Sequence, residues 1–333
     1  MKSIRLIKAA ALVLTAALCT GLVSCSKKTY TSFEEAQKAA QKEKKEILLL
    51  FTGCDWDEHS EDFKAQVVNT KEFEKAFNKN YVFVNVDLSQ DDFLSTNLPD
   101  DASEKEKEDA KKILEDFSVK EELSRTYQVT QYPSVYFLTR EGWFLGIVNF
   151  APNHTSFVEF NADVPYQEIK QKMETVNKIR STTGVEKAKA IDDLFTATPS
   201  VYATPMHDLI LSFPELDPQN ETGMLENYKL NAIYFKAYDE LKTGGNASLV
   251  FASAAEDEAL NLSGPNRQQL YQMAAYMLVQ DGSLDDNYDY DKILDYLQKA
   301  YEADPESEDG QLLYERLQTA RSEWEKVKLN NAE

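Results

Sequence analysis

Between Cys54 and Ser60 the chain sets a thiol, three carboxylates, an imidazole and a hydroxyl within seven residues: Cys54-Asp55-Trp56-Asp57-Glu58-His59-Ser60. Several chemistries use such groups. A metal site would draw on Asp55, Asp57, Glu58, His59 and Asp62, but neighbouring residues at a helix start project in different directions and do not converge on one ion. His154 and His207 have no partner at ligand spacing. There is no Ser-His-Asp order, phosphate loop or basic aromatic patch. The reading is therefore no metal and no cofactor. Cys54 has two readings. It is a monothiol that forms mixed disulfides or a sulfenic acid, or a small, half-buried packing residue. Asp55, Asp57 and Glu58 weigh against the first, since like charges raise the energy of a thiolate.

The elements that must position these groups follow from pattern. Ile47–Phe51 is an unbroken apolar run that ends at Gly53, as expected for a central strand covered on both faces and followed by a turn. Before it, Ser32 and Glu35 form a capping box for an amphipathic helix over 32–44. After it, Glu61–Asn78 reads as one helix or two, and Tyr81–Asp87 as a second strand rich in β-branched and aromatic residues. Strand, helix and strand at this spacing predict a parallel pair. Residues 88–120 break the pattern, and Ser103-x-x-Glu106 caps a charged helix ending near Phe117. Val135–Leu138 and Trp143–Phe150 form an antiparallel hairpin about Glu141-Gly142, and His154–Asn161 closes the unit with a helical segment.

Strand, Trp loop, second strand, Tyr-Pro strand and hairpin, in this order over residues 31–163, resemble the thioredoxin family. The resemblance implies an α/β thioredoxin-like domain with an insertion over 89–120, either a surface decoration or a lid or docking element. In that family a Trp precedes Cys-x-x-Cys at the helix start. Here Trp56 is kept, while Asp57 and Ser60 hold the two cysteine positions. Pro133, in Gln131-Tyr132-Pro133-Ser134, matches the family's cis proline beside the redox loop. Leu50 and Phe51 stand where the family keeps a buried carboxylate. Redox exchange needs a low-pKa thiolate at the helix N-terminus and a second sulfur to resolve the mixed disulfide. Asp57 and Ser60 supply neither, so dithiol exchange is excluded on chemistry. The resemblance also implies that Trp56, Tyr132 and Pro133 line the groove where redox relatives hold an extended peptide. The other reading of Trp56 is that it packs the loop.

From Val164 to residue 329 the composition turns helical. Helices are expected over Tyr166–Arg180, Val185–Phe195, Val201–Leu211, Leu225–Leu241, Asn266–Val279, Tyr290–Ala303 and Gln311–Lys328. Breaks are expected at Thr182-Thr183-Gly184, Asp217-Pro218, Gly244-Gly245, Gly264-Pro265 and Asp281-Gly282. Tyr290–Pro305 resembles the second helix of a tetratricopeptide repeat. No tandem period supports a regular solenoid, so the reading is an all-α domain of helical hairpins.

The first 24 residues stand outside the fold. Lys2, Arg5 and Lys8 precede the apolar stretch Ala9–Leu18, the pattern of a secretory signal. Leu22-Val23-Ser24-Cys25 resembles the lipobox of bacterial lipoproteins, in which the cysteine is acylated and becomes the mature N-terminus; residues 25–30 would be a tether. With Cys19 removed and Cys25 acylated, Cys54 is the one remaining thiol of three cysteines. A net charge of −21 disfavours nucleic acid and gives no overall attraction to anionic lipid. The expectation is a cell-envelope lipoprotein that binds or scaffolds exported proteins or peptides. The alternative is a monothiol oxidoreductase or thiol sensor using Cys54. A further alternative puts the function in the helical domain.

Overall fold

The computed structural model describes residues 28–285 and 288–330. The signal segment and Cys25 lie outside the described residues. The chain divides into two compact units, one running to Lys170 and the other from Gln171.

In the first unit five strands form one sheet in the order β1-β3-β2-β4-β5. These are β1 (Thr29–Tyr30), β2 (Glu46–Thr52), β3 (Tyr81–Asp87), β4 (Ser134–Leu138) and β5 (Phe144–Asn149). Strand β2 is the spine: every one of its residues is buried. It pairs in parallel with β3, Glu46 opposite Tyr81 through Thr52 opposite Asp87, and antiparallel with β4, Ile47 opposite Leu138. This explains the unbroken apolar run, which faces cover on both sides. Thr29 and Tyr30, expected in the tether, instead add an edge strand to β3.

Helix α1 (Phe33–Glu43) is capped by the Ser32 hydroxyl, which accepts from the Glu35 amide. The segment expected as one helix or two holds two α-helices, α2 (Glu58–Phe63) and α3 (Lys71–Phe77), joined through a wide π turn over Lys64–Val68. Asp57 starts α2 three residues earlier than expected, and Thr70 restarts the chain by accepting from Phe73 N. In the 89–120 region a short helix α4 (Gln90–Leu94) precedes α5 (Glu104–Thr126), opened by the expected capping box of Ser103 and Glu106. Helix α5 does not stop near Phe117. No Gly or Pro interrupts it, and Lys120–Asp116 and Arg125–Glu121 pairs at i,i+4 line its later turns. The unit continues through α6 (Phe157–Ala162) into α7 (Tyr166–Ser181), whose Ile169 side chain and Pro165 crowd Gly146 of β5.

In the second unit α8 (Gly184–Ala197), α9 (His207–Leu211), α10 (Phe213–Leu216), α11 (Leu225–Lys242), α12 (Ala247–Glu256), α13 (Gly264–Asp285), α14 (Tyr290–Ala303) and α15 (Gly310–Asn330) follow. Helices consecutive from α11 to α15 touch one another. Val201–Leu211 is not one helix, because Pro205 divides it into two 3₁₀ turns and α9. Helix α12 was not expected. Its sequence, Ala-Ser-Leu-Val-Phe-Ala-Ser-Ala-Ala-Glu, is apolar nearly all round and lacks a clean stripe, and its start is fixed by Asn246 accepting from Leu249 N. Helix α13 runs through Asp281-Gly282, where a break was expected. The core joins Leu230, Ile233, Phe251, Leu270, Ala274 and Tyr296.

The hairpin of β4 and β5 is pinned from outside. Gly142, at φ +97°, offers its carbonyl to the buried Tyr127 hydroxyl at 2.8 Å. Tyr127→Phe is expected to cost about 1–2 kcal/mol by leaving that buried acceptor unpaired. The measurement is urea unfolding, with the midpoint lowered and the slope unchanged.

Candidate functional site

The site forms where β2 and β3 end. After Thr52 the chain turns at Gly53, whose carbonyl accepts from Trp56 N at 3.1 Å and Asp57 N at 2.7 Å. A Cβ on Gly53 would lie 2.2 Å from the Trp56 ring, so a close approach of indole to backbone demands glycine here. Asp57 caps α2: its Oδ2 accepts from Ser60 N at 3.0 Å and from Ser60 Oγ at 2.5 Å. The Ser60 hydroxyl in turn accepts from Gly53 N at 3.1 Å. Ser60 is fully buried. The two residues thus close a ring of hydrogen bonds from the strand end to the first turn of the helix. Neither can exchange a disulfide.

Cys54, the one free cysteine among the described residues, is half-buried. Lys64, from the π turn, donates to its Sγ at 3.2 Å, and its amide donates to Asp87 Oδ1 at 3.1 Å. Asp87 also accepts from Thr52 Oγ1 at 2.6 Å. Burial pushes the Cys54 thiol pKa up, with the Asp87 charge adding to the rise; the Lys64 and Thr52 hydrogen bonds pull against it and do not reverse it. The opposition expected from Asp55, Asp57 and Glu58 is not the cause. Desolvation leads, and the carboxylate involved is Asp87. Sequence reasoning missed both Asp87 and Lys64. Asp87 ends an apolar strand, which signalled a polar group at the sheet's rim; nothing in the chain ties Lys64 to a thiol ten residues away.

Trp56 stands out from this base. Its indole N–H donates to Leu88 O at 2.6 Å, its ring meets Tyr132 edge-on at 5.2 Å, and it remains 47% exposed. The Tyr132 hydroxyl lies 3.3 Å from Ser124 Oγ on α5. The Tyr132–Pro133 bond is cis. Trp56 and Tyr132 are two walls of an open groove of about 480 Å³ completed by Leu88, Phe93, Phe117 and Arg125. Pro133 is buried behind it, its carbonyl accepting from Phe150 N at 3.1 Å. Phe93 and Phe117 come from α4 and α5, with ring centroids 5.0 Å apart. The 89–120 region therefore builds a wall of the groove. Asp55 fastens it to the loop by accepting from Ser89 Oγ at 2.8 Å and Asp91 N at 2.6 Å.

The remaining sequence candidates do other work. His59 stacks on Phe150 at 4.7 Å. His154 is buried, with Nδ1 accepting from Ala151 N at 3.2 Å and Nε2 2.7 Å from Asp163 Oδ2, so it braces the turn into α6. Among the described residues no group of three His, Cys, Asp or Glu side chains is placed to hold a metal.

A family model described as thioredoxin-like matches residues 28–139. A second, described as an uncharacterised protein C-terminal domain, matches residues 224–323. No curated protein matches the chain. A solved structure titled DsbH oxidoreductase is 22% identical, covering 45% of this chain and 90% of its own, with a TM-score of 0.33.

Because burial raises the Cys54 pKa, less thiolate exists at a given pH than for a free cysteine. Alkylation by iodoacetamide is expected to be slower at pH 8 than in the urea-unfolded chain, and to keep rising with pH beyond the ordinary thiol range. Lys64→Met, which removes the stabilising donor, is expected to slow it further. Mass-spectrometric rates across pH 6–11 check both, and a plateau below pH 7 contradicts them.

Proposed function

We propose that the thioredoxin-like domain of this protein is a binding module whose redox pair has been replaced, holding extended segments of exported proteins in the groove beside Trp56. The observation that carries this reading is the pairing of two features at one place. The positions of the exchanging sulfurs are filled by a closed hydrogen-bonded ring, Asp57–Ser60–Gly53, while the neighbouring indole is fixed at its nitrogen and left exposed on its face. A half-exposed, pre-positioned aromatic anchors a partner at low ordering cost. Phe93 and Leu94, exposed on α4, extend the apolar surface. The reading includes export and acylation at Cys25, which rest on the lipobox. No helix among the described residues is long and apolar enough to cross a membrane.

One contact favours a second reading. Lys64 sits 3.2 Å from Cys54 Sγ, a position from which it can steady a thiolate. In that reading Cys54 attacks one sulfur of a partner's disulfide and the other sulfur leaves as a thiolate. A mixed disulfide remains, which an external thiol must resolve because the described residues hold no second cysteine.

Peptides selected from a randomised library on residues 26–333 separate the two. Trp56→Ala is expected to weaken their binding by about 2 kcal/mol, roughly 30-fold, and Cys54→Ser to leave it unchanged. Insulin reduction by the unaltered chain is expected to be at background. Peptides held equally by Trp56→Ala overturn the groove reading, and peptides retained only through a reducible bond to Cys54 establish the second.

A further inference from the structure

One end of the sheet in the first unit carries a group of lysines. At the end opposite Trp56, where β2 and β3 begin, Lys45, Lys71, Lys75 and Lys79 line an open depression of about 630 Å³ with Asn78 and a single carboxylate, Glu74. Lys71, Lys75 and Lys79 are exposed. Among the described residues only Lys45 of the four is joined to an acid, Glu43 at 2.9 Å. In a molecule of net charge −21 such a cluster stands apart.

Its place in the topology gives it a partner. Strand β1 is parallel to β3, with Thr29 opposite Phe83. The chain therefore enters the sheet from the side where β3 starts, and Lys28 stands at that entry. Strand β2 carries the chain through seven residues to Gly53, so the groove lies about 23 Å away along the strand at 3.3 Å per residue. Cys25 is three residues before Lys28, and an extended chain spans at most about 3.5 Å per residue. A lipid on Cys25 would keep this end of the sheet within roughly 10–15 Å of a bilayer.

We propose that the lysine-lined depression at the start of β2 and β3 docks on anionic phospholipid headgroups, holding the thioredoxin-like domain with its Trp56 groove turned away from the membrane. This rests on the reading that Cys25 is acylated, since the anchor is what makes a bilayer the anionic surface always within reach. The chain's overall negative charge does not oppose it. Charges more than about 8 Å from the surface are screened at physiological ionic strength, so the sign of the contacting face decides.

The test uses residues 26–333, which keep every described element, held by an N-terminal hexahistidine to nickel-chelating lipid in vesicles. That tether replaces the acyl chain, so docking is measured whether or not Cys25 is acylated in the cell. On vesicles rich in phosphatidylglycerol, Lys45, Lys71, Lys75 and Lys79 are expected to be several-fold slower to acetylate than on phosphatidylcholine vesicles. High salt should remove that difference. Without the tether, each Lys→Gln change at these positions is expected to lower partitioning onto the anionic vesicles by about fivefold. With Trp143 and Trp324 changed to Phe, Trp56 should stay equally open to collisional quenching on both vesicles. Equal labelling on the two lipids overturns the proposal, as does protection spread evenly over all lysines, or protection produced by polyglutamate and not by vesicles. A native N-terminal peptide lacking a lipid on Cys25 would overturn the anchor reading separately.

Discussion

Asp57 sets the character of the N-terminal domain. A helix start leaves amide N–H groups unpaired and carries a partial positive charge, so it favours an anion. A redox exchanger uses that field to hold a thiolate. Here the side chain of Asp57 occupies it, accepting from both the amide and the hydroxyl of Ser60. The same residue opens α2 and thereby fixes where the preceding loop must close. The loop closes tightly enough that the Trp56 ring lies over Gly53. Capping and the absence of exchange at this position have one origin: a carboxylate accepts well from the helix amides, but its oxygens are poor nucleophiles toward sulfur and cannot form a disulfide.

The Cys54 thiol sits a few residues outside this cap and is governed by different neighbours. Cys54 lies between a carboxylate on β3 and an ammonium group from the π turn. Asp87 holds its backbone, Lys64 its sulfur. These partners act in opposite directions on the thiolate, and burial decides the balance in favour of the neutral form. The π turn has a role in this. By inserting a wide turn between α2 and α3 the chain brings Lys64 to the strand end, although ten residues separate it from Cys54. Wide turns of this kind are frequent at functional sites.

The helical unit is held by another logic. Small residues at contacts, Ala247, Ala252, Ala255, Ala274 and Ala275, let neighbouring helices approach closely. Polar ties then fix them: Ser248 donates to Ala274 O at 2.9 Å, and Gln268 reaches Asp304 O at 2.7 Å and accepts from Ser307 at 2.7 Å. Buried Asp217 accepts from Glu221 N, Thr222 N and Thr222 Oγ1, so the Asp-Pro break is a built turn as well as a helix stop. Flat stacking of Phe213 on Tyr228 at 3.7 Å joins α10 to α11. From α11 to α15 the main contacts run between helices consecutive in the chain, so each closes a short loop at small entropic cost.

What could be read from the sequence follows from how local each signal is. The β2 run, the Ser32 and Ser103 caps, the Gly142 turn and the span of α14 are written in adjacent residues, and the chain obeys them. The thioredoxin-like order of elements was legible for the same reason. Helix α12 hid because burial on several sides erases the stripe that marks a helix, leaving length and caps as the only clues. Gly282 inside α13 shows the converse: a local breaker is overridden when the surrounding helix packs on both α12 and α14. The groove was half legible. Trp56 and Tyr132 were named by pattern, but its far wall comes from Phe93 and Phe117, on helices that a charge-rich stretch disguised as decoration. Two apolar residues among so many acids and lysines make sense only once α4 and α5 are seen to pack their rings together. Asp55 looked like one more charge on a crowded loop. Its partners, Ser89 and Asp91, show that its carboxylate is the clasp joining that wall to the Trp56 loop, so the acidity that counted against a reactive thiol is spent on shaping the surface beside it.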